Sequence, residues 1–151
     1  MKVKDQVDLS ILLNITFIGM LRVILDTNFL VLPLEERIDV LDQIRDLLGA
    51  RPIPILLLES LEEALNKCVS SSPSERRLFK SALNLLDNIA IESSGIIQGK
   101  VDERILQFSI RRKAIVATND KELRKRLRSL GVTVLYFREG KRRIEIEGAV
   151  L

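Results

Sequence analysis

The sequence predicts a three-layer α/β/α domain built on a central, mainly parallel twisted sheet. Two observations carry this. Short, almost wholly apolar runs rich in Val, Ile and Leu alternate with amphipathic stretches of helical period, and strands apolar on both sides must be covered on both faces. The segment AIVATNDKELRKRLRSLGVTVLYF, residues 114–137, is by itself a strand–helix–strand unit. Its first strand is 114–117 and its second is 132–137. Between them Asn119 caps a helix with Glu122 reaching back, Leu123, Leu127 and Leu130 form the inner face, and Gly131 ends it.

The other elements follow in chain order. Residues 22–25 form the first strand, and Pro33 marks the loop after it. A helix fits 35–48, with Ile38, Leu41, Ile44, Leu47 and Leu48 at helical spacing, acidic residues early and Gly49 as the stop. A second buried strand is expected at 53–58, with Pro52 and Pro54 confining its start to a strand entry. Ser60-Leu61-Glu62-Glu63 matches a capping box that opens a helix through about Lys67. Residues 70–73 form a flexible loop running into a second box, Ser72-Pro73-Ser74-Glu75, with proline at the first helical position and Leu78, Ala82, Leu85 and Leu86 as its stripe. A short strand is expected at 89–91. Residues 101–112 read as helix, with Val101, Ile105, Phe108 and Ile110 inward, and the period-two run at 143–147 finishes the fold as an edge strand or hairpin.

A length of 151 residues supports one domain with a full core. That domain is expected at 21–151, with 1–20 as an N-terminal extension. Residues 9–18 are apolar and follow Lys2 and Lys4, but Asp5, Asp8, Asn14 and Thr16 interrupt the pattern and no small-residue cleavage site follows, so export is not expected. The run is also too short and polar to span a membrane. The extension is either an added strand or helix or the product of a start placed too early, since Met20 stands directly before the first convincing strand. A single Cys excludes an intramolecular disulfide, and Cys68 reads as a reduced, half-buried helix residue of a cytoplasmic protein.

Composition narrows the chemistry. The chain has no His, which removes imidazole bases, Ser-His-Asp triads, Cys-His dyads and the usual zinc sets. Acidic residues stand where strands end: Asp26 after the first, a Glu in ESLEE after the second, Asp102 entering the 101–112 helix and Asp120 after IVATN. Brought to one sheet edge, such carboxylates make a divalent-metal site. Taken singly, Asp26 reads as an Asx-turn residue, Asp102 as an N-cap and Asp120 as a first-turn acid beside the capping Asn119.

Charge is uneven. Fourteen Lys or Arg stand against five Asp or Glu in residues 100–143, which leaves ten against sixteen elsewhere. This basic segment points to a polyanion partner, with Arg111, Arg112, Lys113, Arg124, Lys125, Arg128, Arg142 and Arg143 as candidates to hold a phosphate backbone around the acidic crevice. The plain alternative for the helix 121–128 is a solvated face. Aromatic residues make up only 4%, with no Trp and one Tyr, so charge rather than base stacking is expected to grip any nucleic acid.

VILDTN at the first strand, VDERIL at the third acid and VATNDKEL at the fourth strand, with KRRIEIEG near the end, resemble the PIN-domain ribonucleases over residues 21–148. The resemblance implies a PIN-like fold and a metal-dependent endoribonuclease that acts in rRNA maturation or as the toxin of a toxin–antitoxin pair. It implies Mg²⁺ or Mn²⁺ held by Asp26, Asp102 and Asp120, with Thr27, Asn28, Thr118 and Asn119 orienting carboxylates. The second acid departs from the pattern, because the Glu-Leu register falls on Ser60-Leu61. Glu63 is the favoured ligand and Glu59 the alternative, and Glu63 as the mere closure of a capping box fits equally. Implied partners are RNA, a second copy of the chain, and an antitoxin or a pre-ribosomal particle. The competing function class is a non-catalytic RNA-binding assembly factor whose site has lost its second ligand.

Overall fold

A computed structural model describes residues 20–70 and 72–149. The expected extension 1–19 lies outside the described residues. The sheet has six strands in the order β3-β2-β1-β4-β5-β6: β1 (Met20–Leu25), β2 (Arg51–Leu57), β3 (Ala90–Glu92), β4 (Ile115–Ala117), β5 (Val134–Arg138) and β6 (Arg143–Glu147). All neighbours pair in parallel except β6, the antiparallel edge strand.

Side-chain alternation along each strand divides the core into two layers. Val23, Leu25, Leu56, Ile115, Ala117, Leu135 and Phe137 point to one face. There they meet α1 (Leu32–Glu36), α2 (Val40–Leu48), α3 (Leu58–Ser70) and α4 (Pro73–Leu83) through Leu32, Val40, Ile44, Ala64, Cys68 and Phe79. Ile24, Ile55, Leu57, Val116 and Val134 point to the other, against Ile105, Leu106, Phe108, Leu123 and Leu127 of α5 (Val101–Arg112) and α6 (Lys121–Ser129). Helices therefore cover both faces of a mainly parallel sheet, as the apolar strands required.

Several expectations need correction. The helix expected at 35–48 is two helices. Arg37 adopts a left-handed conformation (φ 54°) that ends α1, and the Asp39 carboxylate accepts the Asp42 amide (3.0 Å) to start α2. Pro33 sits in the first turn of α1 rather than in a loop. The strand β2 contains both Pro52 and Pro54. Pairing to β3 begins only at Ile55, so the missing amides fall where that side has no partner. Because α4 stops at Leu83 and α6 at Ser129, Leu85 (57% exposed) and Leu130 (53%) drop out of their stripes, and Ile110 also faces outward. Cys68 is buried rather than half-buried.

Strand β1 opens at Met20, whose backbone pairs with Arg51. Deleting residues 1–19 is expected to leave the thermal midpoint of the remaining chain within a few degrees of the full-length value. A truncated chain without a cooperative transition would show that the extension belongs to the core.

Candidate active site

The chain leaves β1 towards β2 on one side and later returns to place β4 on the other. The loops after β1 and β4 therefore diverge, which is where parallel sheets open a crevice beyond their carboxyl ends. The two ends lie side by side, with the Asp26 amide donating to the Ala117 carbonyl (2.9 Å). Asp26 is buried at 8% exposure. Its Oδ1 accepts the Thr27 amide (2.8 Å) and its Oδ2 the Thr118 hydroxyl (2.7 Å), so both oxygens are oriented from behind. The same Thr118 oxygen accepts the Asp120 amide (3.1 Å), coupling the two strand ends through one hydroxyl.

Electrostatics bring the four acids into one field. Burial raises the Asp26 carboxyl above its ordinary value. The Thr118 and Thr27 hydrogen bonds offset part of this, and Glu63 and Asp120 add repulsion. Asp102, in the first turn of α5, is raised by burial and by Asp26 and Asp120 against the pull of Arg126 and Lys100. Asp26 thus feels the charge of Glu63 and Asp120, and Asp102 feels that of Asp26 and Asp120. Among the described residues, no three of these side chains are gathered closely enough to hold one ion as they stand. The donors are nonetheless all hard carboxylate oxygens in mutual repulsion, which is the chemistry that suits Mg²⁺ or Mn²⁺.

The two candidate glutamates have separate environments one helical turn apart. Ser60 is buried inside the first turn of α3, which starts at Leu58, and its hydroxyl has no hydrogen-bond partner among the described residues. The expected capping box is therefore not formed, because the helix begins two residues before its would-be cap. Glu63 adds its charge to the field felt by Asp26. Glu59 instead accepts the Ser94 amide (3.2 Å) and the Ser94 hydroxyl and pairs with Arg104 (3.7 Å). Burial pushes the Glu59 carboxyl up, but these partners outweigh it and hold it below its ordinary value.

Glu59 is thus a clamp on the loop leading to α5. Glu59→Gln is expected to cost about 1–2 kcal/mol through lost charge-assisted hydrogen bonds. The lowered carboxyl contributes stability that is present above the ordinary value of 4.5 and is lost as pH falls through the folded-state value. Acid titration of unfolding free energy should therefore show a smaller loss below pH 4.5 in the variant. An identical acid limb in both proteins would refute the clamp.

The residues expected to support the acids divide. Thr118 bonds Asp26 directly, whereas Thr27 does so only through its amide, its buried hydroxyl being without a partner. Asn119 does not cap α6. Its Oδ1 accepts the Phe137 amide (2.7 Å) from β5, and Asp120 caps instead, with Oδ1 accepting the Glu122 and Leu123 amides (both 2.9 Å). Both capping bonds go to Oδ1 of Asp120. Asn28 accepts the Lys67 ammonium (3.0 Å).

The basic residues also separate by position. Arg111, Arg112 and Lys113 end α5, nine or more residues and therefore about 14 Å or more along the axis from Asp102. They favour the helix carboxyl terminus, and both guanidiniums lie over Phe108 (5.7 and 5.5 Å). Arg128 is also at the far end of its helix, bonded to the Val132 carbonyl (3.0 Å). These four stand at helix carboxyl ends, which parallel topology puts opposite strand carboxyl ends, while the Arg111 guanidinium reaches the carbonyl of Ser94, the residue that Glu59 holds. Arg142 bonds the Glu36 carbonyl (3.0 Å) and Arg143 pairs with Glu145 (3.2 Å). Lys125 is exposed on α6. Arg124 packs on Tyr136 (4.2 Å) and lines a groove of about 530 Å³ with Asn28, Asn119, Lys121 and Arg138. Lys67 and Arg138 were not among the candidates of the sequence reading, and Lys121 entered it only as part of a solvated helix face, because their relation to the acids depends on which elements meet.

Fold and site together define a mainly parallel α/β protein with interacting acidic residues at the carboxyl edge of its sheet. The chain belongs to the family of PIN-like domains, whose model matches residues 23–140. It is similar to ribonuclease VapC9 of Archaeoglobus fulgidus, with 28% identity over 120 residues, 79% of this chain and 84% of that one. Similarity to ribonuclease VapC4 of Methanocaldococcus jannaschii is 29% over 135 residues, 87% of this chain and all of that one. Among solved structures, the PIN domain endonuclease Utp24 superimposes with a TM-score of 0.71 and 26% identity, covering 85% of this chain and 92% of that one. VapBC2 from Rickettsia felis, solved bound to a DNA fragment from the promoter, shares the fold at a TM-score of 0.52 and 19% identity, covering 70% of this chain and 92% of that one.

Proposed function

We propose that this chain is a cytoplasmic, metal-dependent endoribonuclease that hydrolyses RNA phosphodiester bonds. The observation that carries the proposal is the buried Asp26 carboxylate, oriented by Thr27 and Thr118 and repelled by the acids around it. A protein retains such a cluster at a cost in stability, and a divalent cation is the natural relief. Asp26, Glu63, Asp102 and Asp120 would hold the ion, which when bound would polarise a phosphoryl oxygen and acidify a water without any histidine. Thr118 keeps Asp26 and the Asp120 loop in register, and the absence of a capping bond leaves Glu63 free to serve. The ribonuclease relatives support RNA as substrate. Among the described residues no helix is long and apolar enough to cross a membrane.

The test is incubation of the purified chain with structured and unstructured RNA in Mg²⁺, Mn²⁺ or EDTA. Internal cleavage is expected with either ion and none in EDTA. RNA binding with no cleavage under any ion would favour the assembly-factor reading. Two cellular roles fit the same chemistry, and expression separates them. Growth arrest relieved by the product of an adjacent small gene would mark a toxin with its antitoxin. Accumulation of uncut precursor rRNA on loss of the gene would mark a processing factor acting on pre-ribosomal particles.

A further inference from the structure

We propose that Lys67 binds a substrate phosphate at the mouth of the acidic crevice, on the side where the groove between Asn28 and Arg138 opens. The inference takes the location of the crevice from the endoribonuclease reading and adds the group that receives the RNA backbone there. Lys67 lies one helical turn after Glu63 on the same strip of α3, so its stem runs beside that carboxylate. Its ammonium donates to Asn28 Oδ1 (3.0 Å), two residues from Asp26 on the 3₁₀ turn Thr27–Leu30. The other neighbours are the Phe79 ring, 5.2 Å away at its centroid, and the Glu75 carboxylate at 3.8 Å, beyond hydrogen-bond reach.

An ammonium has three N–H donors, and among the described residues one of them is engaged at hydrogen-bond distance. The side chain is 28% exposed, so the head reaches solvent while its stem is held. A cation held against the turn that follows Asp26 is what an anionic substrate needs, because the acids repel phosphate unless positive charge receives it. Asn28 connects this point to a groove that carries Lys121, Arg124 and Arg138 together with Glu35, Glu36 and Glu139. Arg124 and Arg138 already pair with Glu147 (3.5 Å) and Glu145 (3.2 Å), so a backbone laid across Lys67 would run on past Lys121.

The alternative is that Lys67 merely struts the turn, α3 and α4 together. A cleavage-silent Asp26→Asn chain, titrated in Mg²⁺ with a labelled uridine-rich oligoribonucleotide at several salt concentrations, separates the two. Adding Lys67→Met should weaken binding several-fold and flatten the slope of log affinity against log salt by roughly 0.7, the loss of one single-strand phosphate contact. Lys67→Arg should restore the slope, since it keeps the charge and reaches the same amide. In the otherwise unchanged chain, Lys67→Met should slow single-turnover cleavage at saturating RNA by on the order of tenfold or more. An unchanged slope overturns the proposal, whatever happens to the thermal midpoint. If Lys67→Met does not fold, Lys67→Gln, which can still bond Asn28, takes its place in the titration. A parent chain that never cleaves would refute the endoribonuclease reading alone, because the slope still decides Lys67.

Discussion

Asp26→Asn is expected to lower RNA cleavage by about a thousandfold or more, because it removes the central negative charge from the ion-holding set and with it several kcal/mol of transition-state stabilisation. The fold should survive. Asn preserves the shape, and the Thr118 hydroxyl can turn to accept from the new amide while Thr27 continues to donate. Stability should hold or rise, and the sign is fixed by linkage. A carboxyl whose folded value is raised binds more protons in the native state than in the unfolded one across the window above the ordinary value of 3.8. Its ionisation therefore erodes stability as pH climbs through that window. The neutral amide escapes that loss, so melting at neutral pH should show a midpoint at or above the parent's. Full Mn²⁺-dependent cleavage by a folded Asp26→Asn protein would sink the metal-site assignment.

The second large effect concerns the ion itself. If Asp26, Glu63, Asp102 and Asp120 hold a divalent cation in the folded chain only, Mn²⁺ at about a hundred times its dissociation constant should stabilise the protein by roughly 2.7 kcal/mol. For a chain of this size that is an upward shift of the thermal midpoint by roughly 5–10 °C. EDTA should reverse it, and Asp26→Asn should abolish most of it. Glu63→Gln should lose part of it, whereas Glu59→Gln should retain the full shift on a lower baseline, since Glu59 is committed to Ser94 and Arg104. This measurement requires no RNA. Equal midpoints in Mn²⁺ and EDTA would show that the carboxylates do not act as a binding set.

The contrast between Glu59 and Glu63 shows what kind of information the chain carries locally. The sequence by itself determined the alternation of strands and helices, because periodicity and chain-stop signals act over a few residues. Val101–Arg112 lies where its apolar spacing placed it, and Ser72 caps α4 through the Glu75 amide as its box required. It also determined that Asp26 and Asp120 follow strands while Asp102 enters a helix, so that parallel topology carries all three to one edge. Where two local signals competed, tertiary structure chose. Asn119 and Asp120 were both competent caps, and β5 took Asn119 for the Phe137 amide, leaving Asp120 to close the helix. Ser60 was a competent cap until α3 began directly from β2.

Direction and distance were decided only in three dimensions. Arg111 and Arg112 are near Asp102 in sequence, yet the length of α5 separates them from it. Lys67 is far from Asn28 in sequence and makes a hydrogen bond to it. Thr118 and Asp26 are separated by most of the domain and are joined by a buried hydrogen bond, because β1 and β4 are neighbours in the sheet. A pattern of residue types encodes which face of an element is buried, since that depends on water alone. It does not encode which charged groups then confront one another, since that depends on how the buried faces dock.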